Sequence, residues 1–223
     1  MNPFKSKIQI LKDNENSNFL KINFSGKVVT LKVVDTSEET IHKLTEWRKT
    51  YRHMFATNFE MYDSRTKDWI KEKILNNPNC ILFIIYVDDE KIGNIGFDLY
   101  EEKQNSLELD NIMKDPSFNL PGLISTVEKP LLKWVFDDLK ISKLFVKVFS
   151  DNFQTLNLHF GCGFKIIKTT PLKREYTNYG WIWKETVLSS ENDFPERYIH
   201  TLEIKRNNLI KSFGEIDYTL RNN

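Results

Sequence analysis

Hydrophobic and polar residues alternate along many short segments of the chain, a period that predicts β-strands. The apolar run Cys80–Val87 is nearly continuous, as expected for a strand buried on both faces of a sheet. Two early runs, Lys7–Leu11 and Phe19–Phe24, predict a β-hairpin that precedes the main sheet. The remaining predicted strands are Val28–Val34, Ile92–Tyr100, Leu107–Met113, Leu144–Phe149, Phe164–Ile167 and Trp181–Leu188.

Helices are predicted where apolar residues recur every three or four positions. In the helix that follows Gly122, Pro130 either kinks the helix or lies in the first turn of a shorter one. Residues 51–63 are rich in aromatic side chains but lack a clear period, which indicates a loop with at most one helical turn. The other predicted helices follow Asp35–Glu39, begin at Ser64, cover Phe153–Phe160 and follow Pro195.

This order of elements predicts an α+β protein with a mixed, mostly antiparallel central sheet and helices on both faces. We expect a single domain over residues 1–223, because this length suits one well-packed core. Within it, residues 1–27 form an N-terminal β extension, 28–190 the core and 191–223 a C-terminal helical extension.

The charge of the chain is nearly balanced, with 32 basic and 31 acidic residues, so no global field attracts nucleic acid or an anionic membrane. No apolar run reaches the length of a membrane span. The two cysteines, Cys80 and Cys162, are too few for a disulfide framework or a thiolate metal site. These features predict a cytoplasmic protein without a bound metal.

One turn has the chemistry of an anion site. Leu120-Pro121-Gly122 lies between a predicted strand and a helix, where the backbone N–H groups of a helix start are free to bind a diphosphate. Asn152 follows the next strand and caps the short helix after it. Such an order is typical of an enzyme that holds a pyrophosphate-bearing cofactor, although an ordinary strand-to-helix turn has the same local pattern.

The order of strands and helices, with Asn152-Phe-Gln-Thr155 continuing to Gly163-Phe164, resembles the GNAT superfamily of acyl-CoA-dependent N-acyltransferases. Leu131–Phe136 is similar to the body of the family's cofactor helix, and Leu31–Val34 followed by Trp47-Arg48 resembles the branch that acetylates protein N-termini and antibiotics. The family's loop usually reads Arg/Gln-x-x-Gly-x-Gly/Ala. The aligned residues here are Asn119-Leu-Pro-Gly122-Leu-Ile124, which keep only the central glycine.

The resemblance implies a GNAT fold and an acyl-CoA co-substrate, acetyl-CoA or a similar thioester. The loop and the helix start would bind the diphosphate, Asn152 and Thr155 the pantetheine arm, and the end of the preceding strand would polarise the thioester carbonyl. The cofactor residues expected on this basis are Ile112, Met113, Asn119, Gly122, Leu123, Ile124, Ser125, Thr126, Asn152 and Thr155.

Three side chains are candidates for proton transfer. Glu108 and Asp110 share one face of their strand, where relatives place a base, although a solvated acidic stripe has the same pattern. His159 occupies the position of the tyrosine that protonates the leaving thiolate in many relatives, and a packed histidine is the alternative.

The aromatic and basic side chains near two loops predict the acceptor site, which we expect to involve Arg52, His53, Phe55, Tyr179 and Trp181. We expect a small-molecule amine acceptor, and among family members of this size the amino group of a nucleotide-linked amino sugar is our first choice, as in polysaccharide biosynthesis. The alternatives are a protein N-terminus, an aminoglycoside or a non-catalytic binding module. A homodimer is compatible with these features.

Overall fold

The computed structural model describes residues 3–14, 17–188, 194–209 and 218–220, and within them eleven strands form a single sheet. Five α-helices pack on this sheet, and one π-helical turn, Ile70–Leu75, continues the third of them. In chain order the elements are α1 (Pro3–Asp13), β1 (Leu20–Phe24), β2 (Lys27–Val33), α2 (Glu38–Thr50), β3 (Thr57–Phe59), α3 (Asp63–Trp69), β4 (Ile81–Val87), β5 (Glu90–Glu101), β6 (Ser106–Lys114), α4 (Leu123–Asp137), β7 (Lys143–Phe149), α5 (Phe153–Cys162), β8 (Lys165–Thr177), β9 (Gly180–Glu185), β10 (Arg197–Lys205) and β11 (Tyr218–Leu220).

The strands lie in the order β11-β1-β2-β4-β5-β6-β7-β10-β8-β9-β3. All neighbouring pairs are antiparallel except β6 and β7, which pair in parallel. That parallel pairing covers only three residue pairs, from Ser106–Lys143 to Glu108–Phe145, and the two strands then separate. A gap therefore opens in the middle of the sheet, and the functional site is built around it.

Hydrophobic cores lie on both faces of the sheet, which confirms the predicted α+β fold with a mostly antiparallel sheet between helices. On one face, α1, α4 and α5 cover alternate residues of the central strands, including Phe83 and Ile85 of β4. On the other face, α2 and the π-helical turn cover the intervening residues, including Leu82 and Ile84. Strand β4 is buried along its whole length because both of its faces meet helices.

Capping chemistry marks the start of α2 and the end of α5, whereas α3 begins at Asp63 and has no side-chain cap from the described part of the chain. Ser37 caps α2 by accepting a hydrogen bond from the Thr40 N–H, and Glu38 and Glu39 lie in the first turn. At the other end of the site, α5 stops at Gly163, whose φ of +101° places it in the left-handed region that glycine tolerates. Helix α4 runs continuously from Leu123, so Pro130 is internal to it and not in a first turn.

Several predicted elements are wrong. Lys7–Leu11 is not a strand of a hairpin but part of α1, because Phe4 and Ile8 bury one helical face while Ile10 remains 46% exposed. The predicted C-terminal helix after Pro195 is β10, which inserts between β7 and β8, while residues 210–217 lie outside the described residues. In the 51–63 loop the predicted helical turn is confirmed at Arg52–Met54, whereas the short strand β3, which pairs with β9, was not predicted.

Both cysteines are free and buried. Burial raises the pKa of the Cys80 thiol to about 11, and burial together with the neighbouring Glu128 raises that of Cys162 still further. Neither thiol is therefore ionised at neutral pH, and neither has the character of a nucleophile.

Candidate active site

A cavity of about 960 Å³ lies at the gap between β6 and β7. Its walls come from both sides of the sheet: the start of α4 and of α5 on one side, and α2, α3 and residues 54–61 on the other. This is the size of a ligand site rather than of a packing defect. The cavity holds most of the residues predicted for the cofactor.

A β-bulge shapes the floor of the cavity. Asn111 and Ile112 of β6 together face the single residue Ile95 of β5, and Asn111 adopts a φ of +53°. The buried Asn94 side chain donates a hydrogen bond to the Asn111 carbonyl and thereby holds the bulge. Because β6 has already separated from β7 here, its backbone is not paired with β7 beside Ile112 and Met113, and both residues line the cavity.

The start of α4 is open to an anion. Gly122 has a φ of +81°, and no side chain in the described part of the chain caps this end of the helix. The Leu123 N–H makes a long bond of 3.4 Å to the Leu120 carbonyl, while the Ile124 and Ser125 N–H groups have no acceptor among the described residues. These free donors and the helix dipole fit a diphosphate.

Two of the residues predicted for this loop do not offer a free donor to the cavity. The Thr126 N–H already donates to the Gly122 carbonyl at 2.9 Å, so it is not free for a ligand. Asn119 does not line the cavity. Gly122, Leu123, Ile124 and Ser125 all do, and the Ile124 side chain also packs against the main core.

Asn152 both caps α5 and faces the cavity. Its Oδ1 accepts a hydrogen bond of 3.2 Å from the Thr155 N–H, and both residues line the cavity at the start of α5. The two roles considered for Asn152 from the sequence are therefore compatible in space.

Glu108 and Asp110 lie together in the cavity, as their spacing on β6 predicts. Burial raises the pKa of Glu108, an effect that Lys147, 3.9 Å away, opposes and the nearby Asp110 and Asp98 reinforce. Asp110 is exposed to the cavity, yet the protein around it also raises its pKa by desolvation. Asp98 reinforces this shift, and the Asn111 N–H, Arg48 and Lys147 oppose it. Such shifts suit groups that accept a proton near neutral pH.

His159 is fully buried, as in the packed alternative considered for it, and it also belongs to the wall of the cavity. Its Nδ1 lies 2.8 Å from Glu128 Oε1 on α4, and its ring packs against Phe164 at 5.2 Å between centroids. Its Nε2 has no hydrogen-bond partner among the described residues. The pair links α4 to α5 and so fixes the two helices that border the cofactor end of the cavity.

The predicted acceptor residues divide into two groups. Phe55 lines the cavity, but Arg52, His53, Tyr179 and Trp181 do not. Arg52 donates to Asn58 Oδ1 at 2.6 Å, and the His53 carbonyl accepts from Arg197 at 2.9 Å, so these two support the loop from outside. Tyr179 is 76% exposed at the tip of the β8–β9 hairpin, and Trp181 lies on β9 against Trp183.

Other cavity residues were not assigned from the sequence. Arg48 stacks on Phe55, with its Cζ 3.2 Å from the ring centroid, and reaches the cavity from α2. Asp98 lies directly opposite Glu108 on β5, a position that only the hairpin register reveals. The remaining unassigned side chains that matter here are Arg65, Trp69 and Lys73, and no local signal marks them.

The family follows from this geometry and from sequence comparison. A family model described as an acetyltransferase (GNAT) domain matches residues 29–165, and the chain belongs to this family. No curated protein matches the sequence significantly.

Solved structures share the fold at low sequence identity. Spermidine N-acetyltransferase SpeG from Vibrio cholerae, in complex with CoA and spermine, superposes with a TM-score of 0.63 at 15% identity, covering 81% of this chain and 96% of that one. The ribosomal L7/L12 alpha-N-protein acetyltransferase RimL, in complex with coenzyme A, superposes with a TM-score of 0.65 at 16% identity. The match covers 83% of this chain and 97% of that one.

The chain is thus a GNAT acetyltransferase, and its co-substrate is acetyl-CoA or another acyl-CoA. Among the described residues, no cluster of side chains has the composition of a metal site. Within the same residues, no helix is both long and apolar enough to cross a bilayer.

Proposed function

We propose that this enzyme transfers the acetyl group directly to the primary amine of a nucleotide-linked amino sugar. The observation that carries the proposal is the composition of the cavity, where Glu108 and Asp110 share one space with the open start of α4 and with the aromatic and basic wall around Phe55. Aromatic faces and guanidinium groups suit a nucleobase and its diphosphate.

In the proposed complex, acetyl-CoA lies in the gap between β6 and β7. The Ile124 and Ser125 N–H groups bind its diphosphate, and Asn152 and Thr155 lie beside its pantetheine arm. The backbone of β6 at Ile112 and Met113 donates to the thioester oxygen, because β6 has separated from β7 along this stretch.

The reaction is a single displacement within this ternary complex. Glu108 or Asp110, directly or through water, takes the proton from the acceptor ammonium, whose pKa is about 7.7–8 if it resembles an α-amino group. The neutral nitrogen attacks the thioester carbonyl carbon, the C–N bond forms and the C–S bond breaks. CoA leaves as its thiolate, which takes up the second proton released by the nitrogen, directly or through water. Alignment of the two substrates supplies most of the rate enhancement.

His159 is not needed as the acid that protonates the thiolate. The hydrogen bond of its ring goes to Glu128, and the side chain is fully buried. We assign it a positioning role between α4 and α5. A cytoplasmic location and a homodimer both stay predictions.

The test is a thiol-release assay with acetyl-CoA against nucleotide-linked amino sugars, peptides with free N-termini, aminoglycosides and spermidine. We expect the highest kcat/KM with a nucleotide-linked amino sugar. Turnover restricted to peptides or aminoglycosides would favour those alternatives instead. Acetyl-CoA binding without turnover on any acceptor would contradict the catalytic proposal.

A further inference from the structure

The acceptor half of the cavity has two walls of opposite charge. Its carboxylates, Asp98, Glu108 and Asp110, all belong to the hairpin of β5 and β6. Three cations face the same space from the helical side: Arg48 on α2, Arg65 on α3 and Lys73 on the π-helical turn. One wall therefore suits an ammonium group and the other an anion.

Arg48 is a cation without a counter-ion in ion-pair contact among the described residues. Its Nη2 donates to the carbonyl oxygen and to Oγ1 of Thr57, at 3.0 and 2.8 Å, and Phe55 covers its face. Its Nη1 is buried and has no hydrogen-bond partner within the same part of the chain. Burial lowers the pKa of the guanidinium to about 10, an effect that the charge of Asp110 opposes without forming an ion pair. The charge of Arg48 therefore persists at neutral pH at a cost in solvation.

The other two cations on this wall also lack an ion-pair partner among the described residues. Arg65 donates to the Glu60 carbonyl at 3.3 Å and stacks on Phe59 at 4.8 Å, and neither it nor Lys73 forms an ion pair among the described residues. By contrast Lys147, on the sheet side, already faces Glu108 at 3.9 Å. Lys114 of β6 also lines the cavity on the sheet side. The helical wall nevertheless carries the larger positive charge, because its three cations share it with no carboxylate from the described part of the chain.

We propose that Arg48, supported by Arg65 and Lys73, is the specificity-determining residue that selects an acceptor bearing a phosphate group beside its amine. The inference rests on the proposed function and adds the requirement for the anion. In this arrangement the ammonium faces Glu108 and Asp110 while the phosphate faces the helical wall. A polyamine would place positive charge against Arg48 and be disfavoured.

The first experiment compares a nucleotide-linked amino sugar with the methyl glycoside of the same amino sugar at saturating acetyl-CoA. We expect kcat/KM to be about 10-fold or more higher for the phosphorylated acceptor, as for a hydrogen bond to a charged group. Arg48→Met should remove most of this preference, and Arg48→Lys should retain part of it because the charge remains. Arg206→Met removes an exposed arginine paired with Asp137 outside the cavity and should keep the preference intact.

Equal kcat/KM for the two acceptors in the wild-type enzyme, or a higher value for spermidine, would overturn the inference while leaving N-acetyl transfer in place. So would an undiminished preference in Arg48→Met. The double variant Arg65→Met/Lys73→Met provides a second test in case Arg48→Met does not fold, and it should also reduce the preference.

The second experiment does not depend on turnover. Calorimetry measures the binding of uridine diphosphate, guanosine diphosphate and inorganic pyrophosphate to protein saturated with CoA, so that the cofactor's own diphosphate site is already filled. We expect at least one probe to bind, with a Kd about 10-fold or more higher in Arg48→Met. Binding that depends on Arg48 without any acetylation would support the anion site and refute the proposed acceptor, whereas no binding of any probe would refute the anion site.

Discussion

Asn152→Asp separates the two roles that Asn152 has in the structure. Asp and Asn are equally good N-caps, and a negative charge at the start of α5 interacts favourably with the helix dipole. The bond from the Thr155 N–H, 3.2 Å long in the wild type, should therefore persist. The Tm of Asn152→Asp should match or exceed that of the wild type. Asn152→Ala removes the cap, which should lower the free energy of unfolding by about 1 kcal/mol and the Tm by about 2–4 °C for a protein of this size.

Asn152→Asp should weaken acetyl-CoA binding although it preserves the stability of the protein. The carboxylate that this substitution introduces would share the cavity with the bound diphosphate. Two unit charges about 8 Å apart in a medium of effective dielectric constant about 20 repel by about 2 kcal/mol. That energy corresponds to a rise of about 30-fold in Kd.

Calorimetry with acetyl-CoA and thermal denaturation measure the two effects separately. Asn157→Asp is the matched control, because it adds the same charge to an exposed position of α5 that does not line the cavity. An unchanged Kd in Asn152→Asp would refute the cofactor role. An unchanged Tm in Asn152→Ala would refute the cap.

Three further sets of substitutions test the fold and the base. Gly96→Ala should lower the free energy of unfolding by about 2 kcal/mol or more, because its Cβ would lie 2.7 Å from the Ile81 carbonyl oxygen, while Gly161→Ala on α5, with open space around it, should raise it by about 0.5–1 kcal/mol; urea denaturation checks both. The raised pKa of Glu108 means that the folded state holds this proton more tightly. The contribution of Glu108 to stability is therefore fully present below the unfolded pKa of about 4.3 and is lost as the pH rises through the folded pKa. Glu108→Gln should therefore raise Tm at pH 7 and change it little at pH 3 while lowering kcat/KM; an unchanged pH–rate profile would remove Glu108 from the mechanism. Lys12→Met should cost about 1.5–3 kcal/mol in urea denaturation, because the buried ammonium donates to the Ile74 carbonyl at 2.5 Å and to a second backbone carbonyl at 2.6 Å.

Much of the sheet was predictable because its strands carry a clear period. The unbroken apolar run of β4 indicated burial on two faces, and the spacing of Glu108 and Asp110 correctly placed both on one face of β6. Capping residues marked the start of α2 and the end of α5 for a local reason, since caps depend on neighbouring backbone groups alone.

The errors arise where two periods fit the same short segment. In α1, Ile8 and Ile10 alternate with polar residues, and only packing shows that Phe4 and Ile8 form the buried face. In β10, the alternation of Leu202 and Ile204 was obscured by charged neighbours that tolerate either structure.

Arg48 and Asp98 illustrate why the site was predicted only in part. Arg48 reaches the cavity because of how α2 crosses the sheet, and Asp98 because of the register between β5 and β6. Conversely, Trp181 is an aromatic residue that we predicted for the acceptor site. In the structure it lies on β9, paired with Tyr176 of β8, and does not line the cavity. Tertiary packing determines the positions of these side chains, and no local sequence pattern predicts that packing.

The buried, protonated state of Cys80 and Cys162 has a practical consequence for measuring the reaction. Ellman's reagent reacts with thiolates, so the folded enzyme should contribute almost no background and the yellow colour should count released coenzyme alone. In denaturant the same two thiols become reactive, and they then give an internal calibration of enzyme concentration at two equivalents per chain.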